Sequence, residues 1–127
     1  MASTPVDERD DYWDSPMSAA SRRHLRAVFR YLRAHWPTAR RVTLSIQKLK
    51  GCDAEIWRVA RSRDLVIAVD PRCQLALAVN LLQHEYAHAV VWDVKEEHHG
   101  PAFAGTWGAI ITAFEDGSVI EDVEDWK

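Results

Sequence analysis

Residues 70–92 read DPRCQLALAVNLLQHEYAHAVVW, and no glycine or proline follows Pro71 within the stretch. An acid able to cap, followed by proline at the first helical position, is a helix start. The stretch therefore predicts one long helix from Asp70-Pro71 to about Trp92. Such a helix puts His84 and His88 about 40° apart around its axis and about 6 Å apart along it, so both rings can converge on one ion. Glu85, one residue on from the first of them, lies beside that ion, within reach of a water molecule. His84-Glu85-Tyr86-Ala87-His88 is thus an HExxH pattern placed on a helix.

Neutral imidazole binds zinc at about 2.0–2.1 Å, and a catalytic site takes three protein ligands, leaving a fourth position for water. The third ligand has to come from beyond the helix. The polar loop 93–98 permits a reversal, and His99-Gly100-Pro101 follows it. His99 is the first choice, because Gly100 lets the backbone pass close to the site. His98 is its rival, and Glu96 or Glu97 would supply a carboxylate instead. A closed site with His98 as fourth ligand would leave Glu85 idle. From Pro101 a last helix carries Phe103, Trp107, Ile110, Ile111 and Phe114, and Asp116-Gly117 stops it.

Toward the N-terminus, Leu25, Val28, Phe29, Leu32 and Trp36 form one stripe of a helix capped by Ser15-Pro16 or Ser18 and ended before Pro37. From Val42 the period changes to two, with Val42, Leu44 and Ile46 on one face. Two further runs, 55–60 and 65–69, flank the polar link 61–64, which reads as a hairpin. The fold class is α+β: an N-terminal helix, a small three-stranded antiparallel sheet, a long motif-bearing helix and a closing C-terminal helix. Leu65–Val69 reads first as a core strand; at a sheet edge it would align an extended peptide by strand addition.

The 127 residues fit one domain, and 47% apolar with 28% charged residues is a globular balance. No apolar run approaches the roughly 20 residues that span a bilayer. The first residues lack the charged flank and apolar stretch of a secretory signal, so a cytoplasmic location is expected. Cys52 and Cys73 form no CxxC pair and are assigned no chemistry. Charge is unevenly spread: residues 15–63 hold twelve Lys or Arg against two acids, while 64–127 hold three against twelve. An acidic arm (1–14) and an acidic tail (118–127) bracket the domain at 15–117. Arg22, Arg26, Arg30 and Arg33 fall within about 80° on the first helix, a face able to meet DNA phosphates or to pair with the acidic ends. His24 and His35 match no ligand spacing.

The segment from His84 to Trp92, followed after a polar loop by His99-Gly100-Pro101-Ala102-Phe103, resembles the SprT-like (Spartan-type) metallopeptidase family, whose pattern is HExxH and then HGxxF or HGxxW. The resemblance covers about 20 residues and implies a small zincin-like domain. It implies zinc ligands at His84, His88 and His99, a catalytic glutamate at Glu85, and the aromatic position at Phe103. Many members carry a cysteine zinc ribbon after this domain; this sequence holds no CxxC, so the likeness is to the catalytic domain alone. The expectation is a zinc-dependent endopeptidase with one Zn2+ per chain and a protein or peptide substrate, DNA-associated proteins among the candidates. The alternative is a nucleic-acid or protein interaction module with a structural or vestigial zinc site.

Overall fold

Ser18 opens the first helix. Its backbone is extended and its Oγ accepts from the Ser21 N–H at 3.1 Å, satisfying one of the donors that a helix start leaves unpaired. Helix α1 (Ala19–His35) buries Leu25, Ala27, Val28, Phe29, Tyr31 and Leu32, and stops at Trp36, before Pro37. The computed structural model describes residues 17–51 and 53–115. The expected arm, Cys52, the stop at Asp116-Gly117 and the acidic tail lie outside the described residues.

The sheet contains β1 (Val42–Ile46), β2 (Ala54–Arg58) and β3 (Leu65–Val69) in the order β1-β3-β2. β2 and β3 form the expected hairpin, with the Val59 N–H donating to the Asp64 carbonyl at 2.9 Å and Arg61 in the left-handed region at the turn (φ 61°). β1 pairs with the other side of β3 in parallel, Val42 opposite Leu65 through Ile46 opposite Val69. The sheet is therefore mixed, which corrects the antiparallel expectation. The physical reason lies in β3: Leu65, Ile67, Ala68 and Val69 are all fully buried, so this uninterrupted apolar run takes the interior position. β1, which alternates apolar with polar residues, and β2, which carries Glu55 and Arg58, become the edges. Both sides of β3 being paired, its use for strand addition falls away.

The chain passes from β1 to β2 across the end of β3, and Asp70 holds that crossing in place. One carboxylate oxygen accepts from the Leu49 N–H at 2.9 Å and from Arg72 Nη2 at 2.7 Å; the other accepts from the Arg72 N–H and Nε, both at 2.9 Å. These bonds consume the carboxylate expected to cap the long helix. Helix α2 accordingly starts four residues later than expected, running Leu75–Val90 from Gln74, which gives no side-chain cap. Residues 71–73 form a turn instead.

Helix α2 is the centre of the fold. It packs against α1, β2, β3 and the last helix, α3 (Pro101–Glu115). Ala78, Leu82, Tyr86 and Ala87 of α2 are completely buried. Tyr86, inside the motif, sets its ring edge-on to Phe29 and donates its hydroxyl to the Trp36 carbonyl at 2.7 Å, fixing the motif against the end of α1. Among the described residues, no helix is long and apolar enough to cross a membrane.

Candidate metal centre

His84 and His88 leave α2 one turn apart, their ring centroids separated by 5.0 Å. The third histidine needs the chain to reverse, and two polar clamps shape the reversal. Arg40, just before β1, forks onto Asp93 through Nε (3.0 Å to Oδ2) and Nη2 (2.7 Å to Oδ1), fixing the loop where it leaves α2. At the far end the Gly100 N–H donates to the Glu97 carbonyl at 2.8 Å, and His99 sits in the left-handed region at φ 64°. That conformation costs a non-glycine residue roughly 1–2 kcal/mol, so the surroundings have to impose it.

The turn brings His99 Nε2 to 3.1 Å from His88 Nε2 and 3.4 Å from His84 Nε2. The ligand nitrogens of all three lie within 4.8 Å of one another, close enough to hold a metal ion. An ion bonding imidazoles tetrahedrally at about 2.0–2.1 Å would separate the nitrogens by roughly 3.3–3.4 Å, so the two short separations fit such an ion. The chemistry of the donors fits as well. Burial, with the neighbouring histidines adding to it, depresses His84 below the ordinary histidine value and His88 to about 4, favouring the neutral imidazoles that metals bind.

Phe103 of α3, itself buried, touches all three rings: stacked on His88 at 4.2 Å and edge-on to His99 and His84 at 4.8 and 5.1 Å. One turn later Trp107 stands perpendicular to His84 at 4.6 Å, with its indole N–H buried and unpaired. Glu85 is half-buried on α2; burial, and then the charge of Glu55 on β2, push its carboxyl up to about 6. Two hollows meet at His99 and Phe103. One, of about 310 Å³, is walled by Ile56, His88, Trp92 and Glu97; the other, of about 430 Å³, by His84, Trp107, Gly108 and Ile111.

The remaining candidates fall elsewhere. His98 is exposed and stacks on His88 at 4.5 Å, outside the converging set. Glu97 is exposed, and Glu96 turns to the start of α3, its two carboxylate oxygens accepting from the Ala102 and Phe103 N–H groups at 3.0 and 3.1 Å. In the sequence Glu96 stands out only as a candidate ligand. Its signal as a cap was present: Gly100, the residue before the helix, has no side chain with which to satisfy those donors. Trp107 stands out in the sequence only as an apolar helix position.

No protein-family model matches the chain, and no curated protein matches it.

Of the basic face, Arg26, Arg30 and Arg33 are exposed on α1, while Arg22 Nε donates to the Met17 carbonyl at 3.1 Å and Arg40 is held by Asp93. None of them lines either hollow. His35 bonds the Tyr31 carbonyl at 3.0 Å, away from the metal centre.

Proposed function

We propose that this chain is a zinc-dependent endopeptidase of the SprT-like kind, with His84, His88 and His99 as metal ligands and Glu85 as general base. The observation that carries the reading is the convergence of three imidazole nitrogens, two of them from the helix that also carries Glu85, a half-buried carboxyl pushed up to about 6. An all-imidazole set suits zinc, and three protein ligands leave a position open for chemistry. Among the described residues no fourth donor joins the three, which favours a catalytic over a closed structural site. Zinc in this place supplies a Lewis acid and lowers the pKa of water toward 7.

The chain's own residues do the rest. Glu85 takes a proton from the attacking water, whose oxygen bonds to the scissile carbonyl carbon, and returns it to the amine as the C–N bond breaks. A carboxyl raised toward neutrality suits both halves of that transfer. Phe103 fixes the ring orientations of the ligands and excludes water from beneath them. The two hollows, meeting at His99, give an extended peptide room on either side of the bond to be cut.

The exposed Arg26, Arg30 and Arg33 favour DNA-associated proteins as a substrate class, since such a face can neutralise phosphates. The test is to incubate the zinc-loaded chain with an unfolded basic protein, with and without DNA, and identify fragments by mass spectrometry. Fragments that vanish with a chelator and with Glu85→Gln support the peptidase. An uncut protein after prolonged incubation with zinc-loaded chain overturns it. DNA-stimulated cutting that is lost on reversing the three arginines to glutamate supports the substrate class, and cutting indifferent to DNA rejects it.

A further inference from the structure

We infer that Glu96 is a positioning residue of the metal centre: its carboxylate, by holding the start of α3, imposes the left-handed turn that delivers His99. The inference rests on the metal-site reading above and assigns the residue that assembles it.

Three observations meet at Glu96. Helix α3 begins at Pro101 behind Gly100, whose carbonyl accepts the first helical bond from Ala104 at 2.9 Å. The helix start therefore has no side chain of its own to cap it. Glu96 fills that role from five residues upstream, one oxygen on the Ala102 N–H and the other on the Phe103 N–H. A carboxylate at a helix N-terminus is also favoured by the helix dipole.

Closing the chain from residue 96 back to residues 102 and 103 leaves Glu97, His98, His99 and Gly100 to make a tight loop, joined by the bond between Gly100 and Glu97. The loop is packed without slack. A Cβ on Gly100 would stand 2.8 Å from the Glu96 carboxyl carbon and 2.9 Å from the Glu97 carbonyl oxygen. His99 takes its φ of 64° inside this loop. Phe103, whose N–H Glu96 holds, is also the ring against which all three histidines pack. One carboxylate thus ties together the third histidine, the turn that presents it and the aromatic support beneath the centre, without itself joining the three converging nitrogens. Partners that orient metal ligands in this way typically change affinity by about 10- to 100-fold when removed.

A simple helix cap predicts a different pattern, and so does a general electrostatic effect, and the experiment separates all three. Zinc affinity of the full chain is measured by competition with a chromophoric chelator. The visible spectrum of the Co2+-loaded protein reports ligand number and geometry, and circular dichroism of the metal-free form reports folding. Glu96→Ala is expected to stay folded, to bind zinc about 10- to 100-fold more weakly and to give an altered Co2+ spectrum. Glu96→Gln, whose amide oxygen can still accept from one N–H, is expected to fall between it and wild type; it also serves as the informative variant if Glu96→Ala does not fold. Glu97→Ala removes the same charge one residue away, from an exposed side chain, and is expected to keep wild-type affinity. Unchanged zinc affinity and Co2+ spectrum in both Glu96 variants overturn the inference, leaving a cap alone. An equal loss in Glu97→Ala also overturns it, in favour of bulk charge. A wild-type chain that binds no zinc overturns the metal-site reading itself, which distinguishes that failure from the other two.

Discussion

The Nε2 atoms of His88 and His99 stand 3.1 Å apart, although the residues are separated by a helix end and a reversed loop. Two ring nitrogens at that distance share a proton or face a common cation. His99 Nε2 is also 3.4 Å from His84 Nε2, and one nitrogen cannot serve both neighbours equally through a single proton. One cation satisfies all three. Metal analysis is therefore expected to find about one zinc per chain, and zinc at a hundredfold excess over Kd to stabilise the fold by about 2.7 kcal/mol. In a domain of this size that is a rise in Tm on the order of 10 °C. His88→Ala should abolish the rise. A wild-type melting curve unmoved by either zinc or a chelator would sink the metal centre.

Glu85 lies next to His84 in sequence, yet the part proposed for it is proton transfer and not ligation. Glu85→Gln preserves shape and removes the base. Zinc affinity should stay within a few-fold of wild type, while peptide turnover falls by about 100- to 10,000-fold, the usual worth of a positioned general base. Chelator competition and fragment analysis on one preparation check both halves. Loss of zinc together with turnover would place Glu85 among the ligands, and full turnover would remove it from the mechanism.

Gly100 is required by its neighbours. Its N–H bonds the Glu97 carbonyl at 2.8 Å, and an added Cβ would meet that same oxygen at 2.9 Å. Because the oxygen belongs to the backbone, the turn itself has to open. Gly100→Ala should cost about 1–3 kcal/mol in chemical denaturation of the metal-free protein. Zinc binding should weaken further than the stability loss alone explains, because His99 is displaced with the turn. A variant with wild-type stability and affinity would mean that the turn relaxes freely.

Much of this site is written in local sequence. The helical spacing of His84 and His88, the reversal before His99 and the helix that begins at Pro101 all follow from periodicity and punctuation, and the structure brings these three histidines together. Where the sequence misled, a residue was used at long range. Asp70 has every local mark of a helix cap, yet its carboxylate is taken by the Leu49 N–H, 21 residues earlier, and by Arg72. The parallel pairing of β1 with β3 depends on that same crossing, and no local pattern encodes it. The apolar run 65–69 did announce an interior strand, and interior position in turn decides which strands are edges. Glu96 lies between these cases: the uncapped helix start was visible, but not which of two adjacent glutamates would reach it.

Asp70 also makes the fold sensitive to acid. Burial alone would push its carboxyl up, but the donors from Arg72 and the Leu49 N–H outweigh this and hold it below the usual carboxylate range. A carboxylate whose folded pKa lies below its unfolded value of about 3.9 adds stability above that value, and the stability is lost as pH falls through the folded pKa. Asp70→Asn leaves Arg72, only 18% exposed, without its countercharge, and at pH 7 should cost about 3 kcal/mol, near the lower end for a broken buried pair. The gap between wild type and variant should hold down to about pH 5 and then shrink below about pH 4, where Asp70 protonates in the unfolded chain while the folded carboxylate stays ionised. Denaturant titrations of both proteins, metal-free, between pH 3 and 7 read this directly, since the histidines are common to both. A gap that stays constant across the range would mean that Asp70 acts by shape and hydrogen bonding alone, and that its charge contributes nothing to the crossing it holds.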